Sequence, residues 1–152
     1  MHEIVIGCDF VGYQLTQQLC ELLEELKFPY QHVGVHSADD KTVYPDIARL
    51  VAESIIHSDY SKRGIIVCGT GIGTAVAANK FSGIYATICH DSYSAERAKI
   101  ANRVNIITLG ALIVGRELAK KVVKTWLLNE EGKGIPQHLE KLYELDAKNL
   151  KH

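Results

Sequence analysis

Apolar residues along this chain follow two alternating rhythms. Short unbroken runs, Ile4-Val5-Ile6, Ile65-Ile66-Val67-Cys68, Ile84 to Cys89 and Asn105 to Leu109, read as strands covered on both faces. Between them, apolar residues recur every three or four positions, the spacing of one helix face. Leu15, Leu19, Leu22, Leu23 and Leu26 form the first such stripe, and Pro29 closes it. Ile47, Leu50, Val51, Ser54 and Ile55 form the second, opened by Pro45, whose missing N–H costs little at a helix start. A weaker strand is expected near His32 to Val35. Asp91 or Ser92 is suited to cap a helix over 92–101, and a helix over 115–128 turns Leu118, Val122, Val123, Trp126 and Leu127 inward. Five strands alternating with helices predict an α/β three-layer sandwich around a five-stranded parallel sheet. Beyond Gly132-Lys133-Gly134, a helical tail carries Leu139, Leu142 and Leu145. It has two destinations open, its own domain or a neighbouring subunit.

Length and composition narrow the classes. At 152 residues the chain fits a single domain, 1–152, able to bury a core without staples. A net charge of -1 gives no sign of nucleic acid or an anionic membrane as partner. No apolar run approaches the roughly 20 residues that span a bilayer. The opening MHEIVIGCDF enters a strand with no basic n-region, so no signal peptide is expected. Cys8, Cys20, Cys68 and Cys89 show no C-x-x-C spacing, the usage of reduced thiols in a cytoplasmic protein. His2, His32, His36, His57 and His152 lack ligand spacing, so no metal is expected.

Chemistry concentrates in IIVCGTGIGTAVAANK, residues 65–80. In parallel sheets, ligands bind beyond the carboxyl ends of strands, where strand order reverses. That rule gathers Cys8-Asp9, Cys68 to Gly73, Cys89-His90-Asp91 and Leu109-Gly110 on one rim. The turn Gly69-Thr70-Gly71-Ile72-Gly73 exposes amides at a helix start, a cradle for phosphate, carboxylate or oxyanion. Cys68 stands beside it, where a helix N-terminus lowers a thiol pKa. A base beside oxyanion donors suits aldose–ketose isomerisation, which passes through an enediolate. Asp9 is placed to bind sugar hydroxyls, and Tyr44 offers a flat face to a sugar ring. A second reading is a nucleotide-binding module. Gly69-x-Gly71 with Asp91 twenty residues on imitates a dinucleotide fingerprint, although its third glycine falls at 73 instead of 74. A redox role for Cys68 lacks a resolving cysteine nearby in sequence.

With these residues assembled, the chain resembles the ribose-5-phosphate isomerase B and galactose-6-phosphate isomerase family from Ile4 to about Leu128. The resemblance is carried by Gly7-Cys8-Asp9, Tyr44-Pro45, the Cys68 to Gly73 segment and Ala77-Ala78-Asn79-Lys80, extended by Tyr93-Ser94-Ala95, Asn102, Asn105 and Gly110. It implies a Rossmann-like fold and isomerisation of a sugar phosphate with no cofactor and no metal. In that account Cys68 is the base, Thr70 and the backbone of Gly71, Ile72 and Gly73 hold the enediolate, and Asp9 and Asn102 hold substrate oxygens. It also implies a homodimer or homotetramer with each site built from two subunits.

The departures are specific. Phe10 and Ala101 stand where the family commonly has histidines, the second of which opens the sugar ring. Leu112 replaces a phosphate-binding arginine, and no arginine follows Arg116. Lys133 and His138 are the nearest substitutes in the tail, and Arg103 is a further candidate for the phosphate. A four-carbon ketose phosphate, which cannot close a ring, would need no ring-opening histidine. The departures equally fit one subunit, even a non-catalytic one, of a mixed oligomer whose partner supplies the missing groups.

Overall fold

The computed structural model describes residues 1–149, so His152 and the end of the tail lie outside the described residues. Five strands alternate with helices: β1 (Ile4–Cys8), α1 (Tyr13–Glu25), β2 (Tyr30–Gly34), α2 (Tyr44–His57), β3 (Arg63–Cys68), α3 (Ile72–Ala78), β4 (Ala86–Ile88), α4 (Ser92–Ile100), β5 (Ile106–Gly110), α5 (Arg116–Leu128) and α6 (Pro136–Asn149). The strands pair in parallel in the order β2-β1-β3-β5-β4. β1, β3 and β5 are buried along nearly their whole length, which accounts for their unbroken apolar runs.

Right-handed crossovers dictate the layers. α2 and α3 pack together on one face, while α1 and α4 both pack against α5 on the other. β3 is therefore flanked by β1 and β5, whose following helices leave toward the opposite face from its own. The crevice required for a ligand opens at the carboxyl end of β3. No described helix is long and apolar enough to cross a membrane.

Four expectations need correction. The fourth strand is only Ala86–Ile88, because Ile84 sits in a turn whose amide donates to Phe81 and the ladder ends at the sheet edge. The second strand begins earlier, at Tyr30. Leu118 does not face inward; it is 42% exposed, and Ala119 takes the buried position one residue on. The tail helix α6 returns to its own chain. Leu139 is buried, and the Asp146 carboxylate accepts the Gly83 amide at 2.7 Å and the Tyr85 hydroxyl at 3.2 Å. Leu145, expected on its apolar face, points outward.

Candidate active site

Cys68 ends β3 level with Gly110 of β5, and the Asp9 amide donates to the Val67 carbonyl at 3.3 Å. The three strand ends thus form one floor. Cys68 keeps 5% of its surface exposed there. Its sulfur accepts the Gly71 amide at 3.1 Å and lies 3.4 Å from Thr74 Oγ1. Gly71 adopts φ +78, a left-handed conformation that lets the chain fold back over the sulfur. The Gly71 carbonyl in turn accepts the hydroxyls of Thr108 at 2.8 Å and Thr74 at 3.2 Å. These two threonines were not among the expected site residues. Thr108 carried one signal, a lone hydroxyl within an otherwise apolar strand.

The amide cradle differs from expectation in its members. Gly71 spends its N–H on the Cys68 sulfur, and the Ile72 amide points to Thr70 Oγ1 at 3.3 Å. The amides of Gly69, Thr70 and Gly73 find no protein acceptor among the described residues. Those three, with the exposed Thr70 hydroxyl and the Thr74 amide, which also finds no protein acceptor among the described residues, are the donors left for an anion. Asp9 is buried to 9% exposure, and its Oδ1 accepts the Gly12 amide at 3.0 Å. Its second oxygen is left for a ligand. Tyr44, at the start of α2, lays its half-exposed ring against Gly73. Val11 and Leu112 flank Gly69, and Ile72 is exposed beside them.

Two other thiols stand at strand ends on this rim, and burial acts on both. It pushes Cys8 up to about 11 and Cys89 up to about 12, which keeps both protonated near neutrality. His90 lies on the same rim. Its Nε2 accepts the Gly110 amide at 2.9 Å, so the ring proton is on Nδ1. Asp91 is the cap of α4, accepting the Ser94 amide at 2.7 Å. Among the described residues, no three His, Cys, Asp or Glu side chains converge as metal ligands would.

Asn102, Arg103, Lys133 and His138 do not join Cys68 within this chain. Asn102 and Arg103 precede β5, at the amino end of the sheet, whereas Cys68 and Gly110 stand at its carboxyl end. The length of β5 separates the two ends by about 13 Å. Asn102, Lys133 and His138 line a cavity of about 500 Å³ between the end of α4 and α6. Arg103, strained at φ 52, lines a separate cavity with Arg63, Tyr60 and Tyr85. Its expected reach to the rim is therefore wrong for a single chain.

Comparison with known proteins sets this geometry in context. The chain matches the Ribose/Galactose Isomerase family over residues 4–145, which reaches into α6. It is 44% identical to ribose-5-P isomerase B of Listeria innocua over 97% of this chain and 99% of that one. It is 38% identical to D-erythrulose-4-phosphate isomerase of Pectobacterium atrosepticum over 93% of each chain. The structure of ribose-5-phosphate isomerase B from Clostridium thermocellum superposes with a TM-score of 0.89 at 36% identity, covering 96% of this chain and 98% of that one. With sequence, fold and strand-end motif in agreement along nearly its whole length, this chain belongs to the ribose/galactose isomerase family.

Proposed function

We propose that this protein interconverts the aldose and ketose forms of a short sugar phosphate through an enediolate. The observation that carries the reading is the Cys68 sulfur at a strand end between Asp9 and the uncommitted amides of Gly69, Thr70 and Gly73. As thiolate, Cys68 removes the proton from the carbon beside the carbonyl. The C–H electron pair forms the enediolate double bond, and the carbonyl π pair moves onto oxygen. The three amides and the Thr70 hydroxyl hold that oxygen, each such donor contributing about 3–4 kcal/mol. The thiol then returns the proton one carbon away. Asp9 Oδ2 relays or holds the hydroxyl proton, and Tyr44 bounds the sugar.

The reading includes two subunits per site. Asn102, Lys133 and His138 gather in one cavity at the opposite end of the sheet from Cys68, an arrangement that suits a homodimer or larger assembly in which each chain completes its neighbour. We infer one isomerase domain over the whole chain, acting in the cytoplasm, which four unpaired cysteines support. A four-carbon substrate is the second reading. It is favoured by Ala101 and Phe10, neither of which can donate a proton to open a ring. A four-carbon sugar phosphorylated on its fourth carbon has no hydroxyl free to close one.

The test is exchange of solvent deuterium into four- and five-carbon sugar phosphates. Wild type should incorporate label at the transferred carbon, and Cys68→Ala should lose the activity by at least about 10³-fold. Unchanged exchange in Cys68→Ala rejects the assigned base. Tight binding of a dinucleotide with no sugar turnover would favour the nucleotide-binding alternative.

A further inference from the structure

We propose that Lys41 binds the anionic end of the substrate, an assignment that rests on the isomerase reading above. The surroundings of the turn after Cys68 are apolar: Leu112 and Val11 lie nearest Gly69, and Phe10 and Ile72 are exposed on adjoining residues. A phosphorylated sugar needs a cation there, and within the same chain as Cys68 the side chain of Lys41 is positioned to serve. Its Nζ stands 4.6 Å from the centroid of the Phe10 ring. Phe10 follows Asp9 directly, so the ammonium is held above the turn that borders Cys68.

Lys41 is also uncommitted. Its neighbour Asp40 is occupied, accepting the Thr42 amide at 2.9 Å and the Thr42 hydroxyl at 2.7 Å. Among the described residues no carboxylate pairs with Lys41. Three other bases around this rim are engaged or carried away, leaving His36, just past the end of β2, as the other candidate. Arg116 pairs with Glu117 at 2.8 Å. His90 has its Nε2 engaged by Gly110. Lys80 lies beyond the far end of α3, which starts at the rim and runs away from it. The segment between β2 and α2 and the first residue of α2 thus deliver two groups side by side, Lys41 over Phe10 and Tyr44 against Gly73. A cation resting on an exposed aromatic face is held loosely. A phosphate dianion offers it a stronger, charge-assisted partner, so the ring keeps the ammonium in place until a ligand arrives.

The experiment compares wild type, Lys41→Met and Lys41→Arg on four- and five-carbon sugar phosphates and their unphosphorylated counterparts. In Lys41→Met, KM for the phosphate ester should rise about 10- to 100-fold while kcat changes far less. The preference for phosphorylated over unphosphorylated sugar, as a ratio of kcat/KM, should fall by the same factor. Lys41→Arg should recover most of the loss. An unchanged KM in Lys41→Met, or equal losses on both sugars, overturns the assignment and leaves the isomerase reading standing. Calorimetric binding of a phosphorylated aldonate separates the remaining cases. A wild type that binds it without isomerising any sugar defeats the isomerase reading, and Lys41 is then judged by the drop in affinity of Lys41→Met. A wild type that neither binds nor turns over any sugar phosphate overturns both.

Discussion

The His90 imidazole and the Gly110 amide form a 2.9 Å hydrogen bond that joins the end of β4 to the end of β5. Gly110 backs directly onto Thr70, so this bond steadies the turn that carries the amide cradle. Burial pushes His90 below its ordinary value, with the Asp91 charge opposing. The folded chain thus takes up the proton less readily than the unfolded one. Stability should be level above about pH 6.5 and fall as the pH drops below it, toward the depressed folded value. Protonation also removes the acceptor for Gly110. Thermal midpoints and kcat/KM followed from pH 8 to 5 should decline together in wild type, and His90→Gln, whose amide oxygen can accept the same bond, should lessen both declines; the stability loss that remains comes from His32, which burial also pushes down.

Native-state alkylation should single out one thiol. Cys8 and Cys89 are raised by burial to about 11 and about 12, and Cys20 by burial to about 11. Iodoacetamide followed by peptide mass analysis should modify Cys68 first, and a bound sugar phosphate should slow the reaction at least several-fold.

Two glycines of the site should respond differently to alanine. A Cβ at Gly110 would lie 2.6 Å from the Thr70 carbonyl carbon, a backbone atom with nowhere to go. Gly110→Ala should cost about 3 kcal/mol or more and abolish turnover. A Cβ at Gly73 would meet the Tyr44 ring at 2.7 Å, but that ring is half exposed and free to swing away. Gly73→Ala should stay folded, losing about 1 kcal/mol, with a raised KM. Urea titrations and steady-state kinetics separate the two outcomes.

Much of this could be read in the residues because the relevant forces are local. Ile65 to Cys68, bounded by glycine, can only be a buried strand, and it placed the sulfur at the rim. The failures arose where a neighbour distant in sequence decides. Leu118 outweighs Ala119 in any apolar count, yet the packing of α5 wants the small residue inward. Ile84 and Cys89 look like strand but flank a three-residue edge ladder with one partner. Asn102 and Arg103 could have been assigned to the amino end, since both precede β5 in a parallel sheet. The partners of Lys41 and His90 depend on loops meeting in space, which spacing does not encode.

Subunit complementation tests the division of the site. Cys68→Ala and Asn102→Ala chains should each be nearly inactive alone. Unfolded together and refolded as a mixture, they should recover a substantial fraction of wild-type turnover, because a mixed pair keeps one intact sulfur facing one intact asparagine. No recovery would argue for a site made within one chain.

Glu131 is the anchor of a charge cluster away from the crevice. Its carboxylate meets Arg63 Nε at 3.0 Å, Lys99 Nζ at 3.4 Å and His2 Nε2 at 3.5 Å. Lys99 is buried above the Trp126 ring. Glu131→Gln should destabilise the fold by about 1–3 kcal/mol, less than a sealed pair because the carboxylate is about one-third exposed. Lys99→Met in the Glu131→Gln background should restore part of that loss, measured by urea unfolding.

The carbonyl of Gly71, gripped from beneath by Thr74 and Thr108, has a dynamic consequence. Both hydroxyls are sealed from water, so an excursion of the turn would leave Thr108 only the Thr87 carbonyl at 3.4 Å and Thr74 only the Cys68 sulfur at 3.4 Å. The segment that we propose meets the sugar's reactive oxygen is therefore held in place before a ligand arrives. Its ordering is completed when the chain folds, and arrival of the substrate leaves little reorganisation for the reaction to wait on.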